Sequence, residues 1–480
     1  MKNKAWRALA ACALTALLGL CAAPHAARAE EMTAGELFRQ GWLYDVGEGV
    51  AQDYAKAMEY YLQAAEKGSS AAMNNLGAMY EHGAGVAQDY AKALEYYRQA
   101  ARKDNAYAMH NLGAMYAAGK GVDRDIAKAL EWYEKAAKLG HAGAMNALGC
   151  LYRDGTGVKR DVDKALEWFV AAANGGDAQA ARNIGCFFLE GAGVEQSYRN
   201  ARDCFERAAN GGDAIAMTRL GSLYQDGLDV QRDYAKALSW YVKAASYGES
   251  GAMLSIGGMF DGGLGVAQDY AEAMLWYERA AQCGHTGAMN RIAAMYAEGT
   301  GVDQDAAAAR EWYERSAESG DGRAMDALGS LYRDGFGVEP DAEAALAWYA
   351  AAADCGDTDG MNHLGELYRD GIGTEQDLIA AWRLFTRAEQ LGSGDAGENL
   401  ARMERAYMEP PRMATVVTRK SPLSLRKTPE ADGEIIVEIP KGDTVRVLLD
   451  GEFPLVEYAG LRSFVNGKYL VMNDAEDTGD

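Results

Sequence analysis

Basic residues are in short supply in this chain. Against 70 Asp and Glu stand 48 Lys and Arg, giving a formal net charge of −22. That excess repels nucleic acid and anionic lipid at long range, so neither is an expected partner. Past the first 20 residues no apolar run approaches the roughly 18 residues that a membrane-spanning helix needs. Cysteine is sparse as well: beyond residue 30 only Cys150, Cys186, Cys204, Cys283 and Cys355 occur. An odd count leaves at least one thiol free or paired between chains. His-Glu-x-x-His, Cys-x-x-Cys and Gly-x-Ser-x-Gly are all missing, and no pair of carboxylates stands out from so acidic a background. Catalytic residues, cofactor ligands and metal ligands are therefore not assigned.

The beginning of the chain carries Lys2, Lys4 and Arg7, an apolar stretch from Ala8 to Leu20, and then Ala27-Arg28-Ala29. Charged, apolar and small-x-small segments in that order predict a secretory signal peptide over residues 1–29, cleaved after Ala29. A lipoprotein signal at Cys21 would need a smaller residue than Leu20 before it. The expected location is periplasmic or secreted. Loss of the four basic residues in the leader would take the net charge from −22 to −26.

What the chain does have is regularity. Gly41, Gly77, Gly113, Gly149, Gly185, Gly221, Gly257, Ala293, Gly329 and Gly365 follow one another at 36-residue intervals. An aromatic stands three residues after each, as at Tyr44, Tyr80 and Tyr116. An Asp recurs from Asp53 and Asp89 to Asp377, interrupted only by Ser197, itself a good helix cap. Later in many units comes an aromatic pair such as Trp132-Tyr133, Trp240-Tyr241 or Trp276-Tyr277. Ten units fit without an insertion, which marks a repeat array whose function lies on an extended surface.

Each unit reads as a helical hairpin. Met73, Leu76, Gly77 and Tyr80 fall at i, i+3, i+4 and i+7, one face of a first helix. Gly83-Ala84-Gly85-Val86 supplies a tight reversal. Asp89 then caps a second helix, with Ala93, Tyr97, Ala100 and Ala101 as its apolar stripe. One pair cannot bury its stripe alone, but stacked neighbours can. The expected fold is an all-α, right-handed α-solenoid of ten 36-residue hairpins over residues 34–394. The recurring Trp and Tyr of the second helix read as core rather than as a ligand box.

Residues Ala72 to Ala101 resemble a Sel-1-like repeat, a relative of the tetratricopeptide repeat, and the likeness extends over residues 34 to about 394. The resemblance implies an α-solenoid that serves as a protein-interaction scaffold, often in bacterial envelope and signalling processes. Some members carry a ladder of paired cysteines in every repeat, and this chain lacks it. Repeat spacing separates Cys150 from Cys186 and Cys283 from Cys355 too widely for a disulfide. Cys186 with Cys204 is the one remaining candidate.

Beyond the array the grammar changes. Residues 395–412 read as a capping helix and linker, stopped by Pro410-Pro411. Short β-type runs follow at Thr415–Val417, Leu423–Leu425, Ile435–Val437, Val445–Leu448, Leu455–Tyr458 and Phe464-Val465, suiting a small all-β barrel over 413–473. An acidic tail occupies 474–480. Leu423–Pro429, Ile439–Asp443 and Phe464–Leu470 resemble a bacterial Src-homology-3-like domain. That resemblance implies peptidoglycan or peptide binding, although the late Trp positions of the family are here filled by Phe453 or Pro454 and by Phe464.

Apparent chemical motifs dissolve into the repeat. Gly119-Lys120-Gly121 lacks the spacing and the Ser or Thr of a phosphate loop. Asp123-x-Asp125, Asp161-x-Asp163 and Asp303-x-Asp305 lack the loop Gly and terminal Glu of a calcium site. They read as carboxylates at helix starts. Histidines 82, 110, 141, 285 and 363 occupy mostly different registers, and His141 and His285, which share one, lie four repeats apart.

Recognition remains. With Met73, Leu76, Gly77 and Tyr80 inside, Asn74, Ala78, Glu81 and His82 share the adjoining face of the first helix. In tetratricopeptide-like arrays that face lines the concave groove. The register of Asn74 runs His110, Asn146, Arg182, Thr218, Leu254, Asn290, Asp326 and Asn362. Asn is a poor helix-interior residue, and its amide can hold an extended peptide backbone. Equally, it can solvate the helix or bond to the next repeat. The Ala78 register is mostly small, and the Glu81 register adds Arg153, Arg333 and Arg369, each beside an Asp. The expected groove residues are thus Asn74, His110, Asn146, Arg182, Asn290, Asn362, Arg153, Arg333 and Arg369. The expected role is an exported scaffold for a protein or extended peptide. The alternatives are a cell-wall-binding protein acting through 413–473 and an envelope hydrolase, for which no catalytic set is present.

Overall fold

The computed structural model describes residues 32–407 and seven strand segments between 412 and 472. The expected signal peptide, its cleavage point after Ala29 and the acidic tail lie outside the described residues. Twenty-one helices, α1 (Ala34–Val46) to α21 (Gly394–Tyr407), occupy the repeat region and its cap.

Local signals place most of the helix ends. In the second repeat, α3 (Ser70–His82) begins where Ser69 Oγ accepts the Ala72 N–H at 3.2 Å. It stops at Gly83, whose φ of 72° is left-handed. There a side chain would be strained, and a glycine is not. The second loop glycine, Gly85, is left-handed too, and a Cβ on it would lie 2.5 Å from Tyr54 Cβ in the preceding repeat. Helix α4 (Tyr90–Ala101) starts as Asp89 Oδ1 accepts the Lys92 N–H at 3.0 Å. Asp89 also donates its backbone N–H to the Tyr80 carbonyl at 2.9 Å. The recurring aromatic and the recurring Asp therefore close one loop from both sides. Ser197 takes the Asp position in the fifth repeat and caps in the same way, through the Asn200 N–H.

The glycine ladder answers to an aromatic ladder on the second helix. A Cβ on Gly77 would sit 2.6 Å from Cδ1 and Cε1 of Tyr97. The glycine thus makes room for a ring within its own hairpin. Tyr61, Tyr97, Phe169, Phe205, Tyr241, Tyr277, Tyr349 and Phe385 all seat there with almost no exposure. In the eighth repeat the ladder carries Ala293 instead, and the matching Tyr313 is only partly buried. There a methyl stands at the position that glycine leaves open in the other repeats. Apart from Tyr313, the second member of each aromatic pair is core, as expected. The first is half-buried and often covered by a cation, as with Lys135 over Trp132 at 4.3 Å and Arg279 over Trp276 at 4.5 Å.

The chain divides into two compact units at Glu249 and Ser250. In the first, six hairpins stack so that the second helix of each packs on the first helix of the next. One buried cluster runs continuously from Met73 to Leu148, uniting neighbouring hairpins. The second unit begins with α13 (Ser250–Gly262) and α14 (Tyr270–Gln282), followed by three further hairpins stacked by the same rule. Helix α21 packs on the last of these, with Met403 buried against Ala381 and Phe385. The repeats of both units are all-α solenoid.

The C-terminal strands, β1 (Arg412–Val416), β2 (Leu423–Arg426), β3 (Ile435–Ile439), β4 (Thr444–Leu449), β5 (Leu455–Tyr458), β6 (Leu461–Phe464) and β7 (Leu470–Met472), form one antiparallel sheet in the order β3-β2-β6-β5-β4-β1-β7. No pairing joins its outer strands β3 and β7 among the described residues, so the expected closure into a barrel is not shown. A strand at Leu461–Phe464 and another at Leu470–Met472 replace the single expected run at Phe464-Val465. Among the described residues no helix is long and apolar enough to cross a membrane. All five described cysteines are free, so Cys186 and Cys204 are unbonded.

Candidate partner-binding face

The first-helix face carries a ladder of hydrogen bonds between neighbouring repeats. Residues of the Asn74 register reach forward at two spacings. At 37 residues, Asn111 Nδ2 donates to Asn74 Oδ1 at 3.1 Å, and Asn183 Nδ2 donates to Asn146 Oδ1 at 3.0 Å. His363 Nδ1 stands 2.6 Å from Asp326 Oδ1 in the same relation. That contact raises the His363 pKa, chiefly through the hydrogen bond to the carboxylate. At 31 residues the partner is the residue just before the next first helix. Arg182 Nε donates to Asp213 at 2.9 Å, Thr218 Oγ1 to Glu249 at 2.7 Å, Asn290 Nδ2 to Asp321 at 3.1 Å, and Asn362 Nδ2 to Ser393 at 2.7 Å.

These bonds assign a structural task to much of the register. Asn146 and Asn362 are 9% and 5% exposed, which leaves little of either side chain for a ligand. Buried polar groups are tolerated only when paired, and the forward bonds supply the pairs. His110 differs. Its ring stacks on His141, centroids 4.8 Å apart, and tilts against Tyr133. Burial, with His141 second, pushes the His110 pKa down to about 4. His141 in turn accepts the Ala144 N–H at its Nδ1, 3.0 Å away, and so caps α7 (Ala142–Asp154). The two histidines meet although their registers differ, because residues 31 apart adjoin across a repeat boundary.

The expected arginines pair locally. Arg153 forms a two-pronged contact with Asp154 at 2.7 and 3.1 Å, Arg333 with Asp334 at 2.7 and 3.1 Å, and Arg369 with Asp370 at 2.7 and 2.7 Å. Each holds its partner carboxyl below the usual carboxylate range, chiefly through the hydrogen bond. Such exposed pairs add little stability. They fix the guanidinium planes beside the face.

A cleft opens on this face in each unit. In the first unit one of about 640 Å3 is lined by Arg153, Arg160, Arg182, Asn183, Cys186 and Glu190, among others. Cys186 belongs to the small Ala78 register, and burial pushes its thiol and that of Cys150 up, making them poor nucleophiles at neutral pH. In the second unit a cleft of about 500 Å3 is lined by Leu254, Gly258, Asp261, Tyr277, His285, Arg291 and Arg323 with two further glycines. Arg291, His285 and Asp261 were not among the expected groove residues. The spacings of 31 and 37 from Leu254 were the signal that would have found the first two. Among the described residues no group of three His, Cys, Asp or Glu could hold a metal ion.

Comparison with known proteins supplies a family context. The Sel1 repeat model matches ten consecutive segments, from residues 37–69 to residues 358–393. A protective antigen present in uropathogenic Escherichia coli strains, whose structure displays an SLR fold, is 34% identical. That match covers 78% of this chain and 80% of the antigen, with a TM-score of 0.51. A Sel1 repeat protein from Oxalobacter formigenes is 36% identical over 51% of this chain and 99% of its own, with a TM-score of 0.48. No curated protein matches. The family match ends at residue 393, so the Src-homology-3-like resemblance of 413–473 gains no support from it.

Proposed function

The chain belongs to the Sel1 repeat family, and from that premise we propose that it is an exported scaffold that holds a protein or extended peptide against the first-helix face of its repeats. The observation that carries this reading is the placement of the clefts: in each of the two units one opens on the Asn74, Ala78 and Glu81 registers. A small residue at the Ala78 register leaves depth, and polar side chains on either side supply donors and acceptors. Asn74, His110, Arg153, Arg182, Asn290, Arg333 and Arg369 are the proposed contact residues, with Asn146 and Asn362 holding successive repeats in register beneath them. Export rests on the leader-like order of residues 1–29. Neither cell-wall docking by residues 413–473 nor hydrolysis is favoured by any specific observation.

Recovery of partners from an envelope extract tests the proposal. Wild type is compared with a variant carrying Asn74→Ala, Arg153→Ala, Asn290→Ala and Arg333→Ala, and with an exposed second-helix control, Leu139→Ala. The expected result is loss of the specific partner by the first variant alone. Equal recovery by a variant whose circular dichroism matches wild type would remove the face from consideration.

A further inference from the structure

Leu254 breaks the hydrogen-bond ladder. Seven of the nine residues in the register beginning at Asn74 bond forward to the next repeat, at a spacing of 31 or 37. His110 instead stacks on its partner at 31. Leu254 has no polar atom to offer, and its two forward neighbours are left over. The residue 37 ahead is Arg291, which has no hydrogen bond or ion pair among the described residues. The residue 31 ahead is His285, whose Nδ1 is buried without a partner and makes no cap for α15 (Thr286–Glu298), unlike His141 at the same position of its repeat. Gly287 keeps the space beside it open: a Cβ there would lie 3.1 Å from His285 Cε1 and 3.7 Å from Leu254 Cδ2.

Both stranded residues line the second unit's cleft, and a second guanidinium joins them. Arg323 is 72% exposed and meets only Asp321, at 3.8 Å. The cleft's one carboxylate, Asp261, accepts a hydrogen bond from Tyr277 Oη at 3.1 Å. Arg323 is matched by Asp321, and Asp261 faces a tyrosine hydroxyl, which leaves Arg291 as the guanidinium of the cleft without a carboxylate partner among the described residues. The arginines lining the first unit's cleft are engaged: Arg153 with Asp154, Arg182 with Asp213, and Arg160 with the Arg153 carbonyl.

We infer that the Leu254–Arg291–Arg323 cleft binds a carboxylate presented by an acidic segment of a partner polypeptide, a reading that rests on the scaffold role proposed above. A guanidinium takes a carboxylate in a planar two-pronged contact. A single negative charge matches the one guanidinium of the cleft without a carboxylate partner, that of Arg291. Nucleic acid and other polyanions are repelled by Asp261 and by the chain as a whole. Leu254 and the Tyr277 ring give the floor an apolar part, on which the stem of a Glu or the last side chain of a chain end can rest.

The test is fluorescence anisotropy of the full exported chain with two labelled octapeptides. One is glutamate-rich with an amidated end; the other is a neutral Gly-Ser peptide with a free C-terminal carboxylate. Binding of the first assigns side-chain carboxylates, and binding of the second assigns chain ends. Arg291→Ala, which removes an exposed side chain, should weaken the bound peptide by about tenfold or more, the loss of one charge-assisted contact. Leu254→Asn restores an acceptor for Arg291 and should weaken binding similarly while leaving the helical signal intact. Leu139→Ala, outside the face, should change nothing. Undiminished binding by both cleft variants overturns this site and leaves the scaffold reading to its own experiment. Failure of wild type to bind either peptide overturns the site as well, whatever is recovered from the extract.

Discussion

Gly257 and Gly258 are neighbours in α13, and replacing each by Ala separates two effects that usually travel together. Both substitutions exchange the poorest common helix former but Pro for the best, a gain of about 1 kcal/mol each. Their surroundings differ. A Cβ on Gly257 would lie 2.5 Å from both Cδ1 and Cε1 of Tyr277, whereas a Cβ on Gly258 would find only Tyr277 Oη, at 3.9 Å. To restore ordinary contact the ring must withdraw by roughly 1 Å, yet Tyr277 is 1% exposed and packed in the core of its unit. Overpacking of that kind costs about 1–3 kcal/mol. Gly258→Ala should therefore stabilise its hairpin by up to about 1 kcal/mol, and Gly257→Ala should fall below it by about 1–3 kcal/mol. Repeat arrays open locally, so amide hydrogen exchange over residues 250–282 is the appropriate measure. Ala293 shows the accommodation to expect, with Tyr313 only partly buried beside it. Equal stabilisation by both variants would mean that the glycine ladder makes no room for the rings, and the packing argument would fail.

Acidification should loosen the first unit around His110. Its folded pKa of about 4 lies below the ordinary 6.5, so the unfolded chain binds the extra proton and stability falls as pH drops from about 6.5 to 4. After allowance for partial exposure the loss is on the order of 1–2 kcal/mol at pH 4.5, read as faster exchange over residues 106–154 and removed by His110→Asn. His363 in the second unit has the opposite sign: its pKa is raised by Asp326, so its stabilisation is full in acid and lost as pH rises through the folded value. Asn146→Ala should cost about 1–3 kcal/mol because it strands the buried Asn183 amide, and a double-mutant cycle with Asn183→Ala should show part of that loss recovered. Mass spectrometry after brief alkylation should label Cys283 and Cys355 first, with Cys150, Cys186 and Cys204 following slowly; any disulfide among the five would contradict the free-thiol arrangement.

The hairpins were legible in the sequence because their determinants are local. Asp89 caps its own helix, Gly83 ends the one before it, and Tyr97 fills the gap over Gly77 within the same 36 residues. The links between hairpins were not legible in the same way. Whether Asn146 faces a ligand or Asn183 depends on how far one repeat turns against the next, and nothing within a single unit states that angle. The strands past residue 412 fared similarly: runs of three to six residues announce extended chain, but the pairing order depends on partners far away in sequence.

A repeat makes its exceptions informative, since each register records what a position ordinarily does. Asp229 takes a left-handed φ of 61° where its counterparts are mostly glycine, and it holds Arg202 at 3.1 Å. There the exception gains a partner. At Ala293 the exception crowds a ring and changes packing alone. Leu254 is of a third kind, because it makes no forward hydrogen bond and leaves the Arg291 guanidinium and His285 Nδ1 both without a partner among the described residues. An unpaired guanidinium beside an unpaired buried imidazole is costly to a structure that gains nothing from them. Their position at the mouth of one cleft, where Arg153, Arg182, Arg333 and Arg369 elsewhere on the face bond to neighbouring carboxylates, is the argument for looking there first.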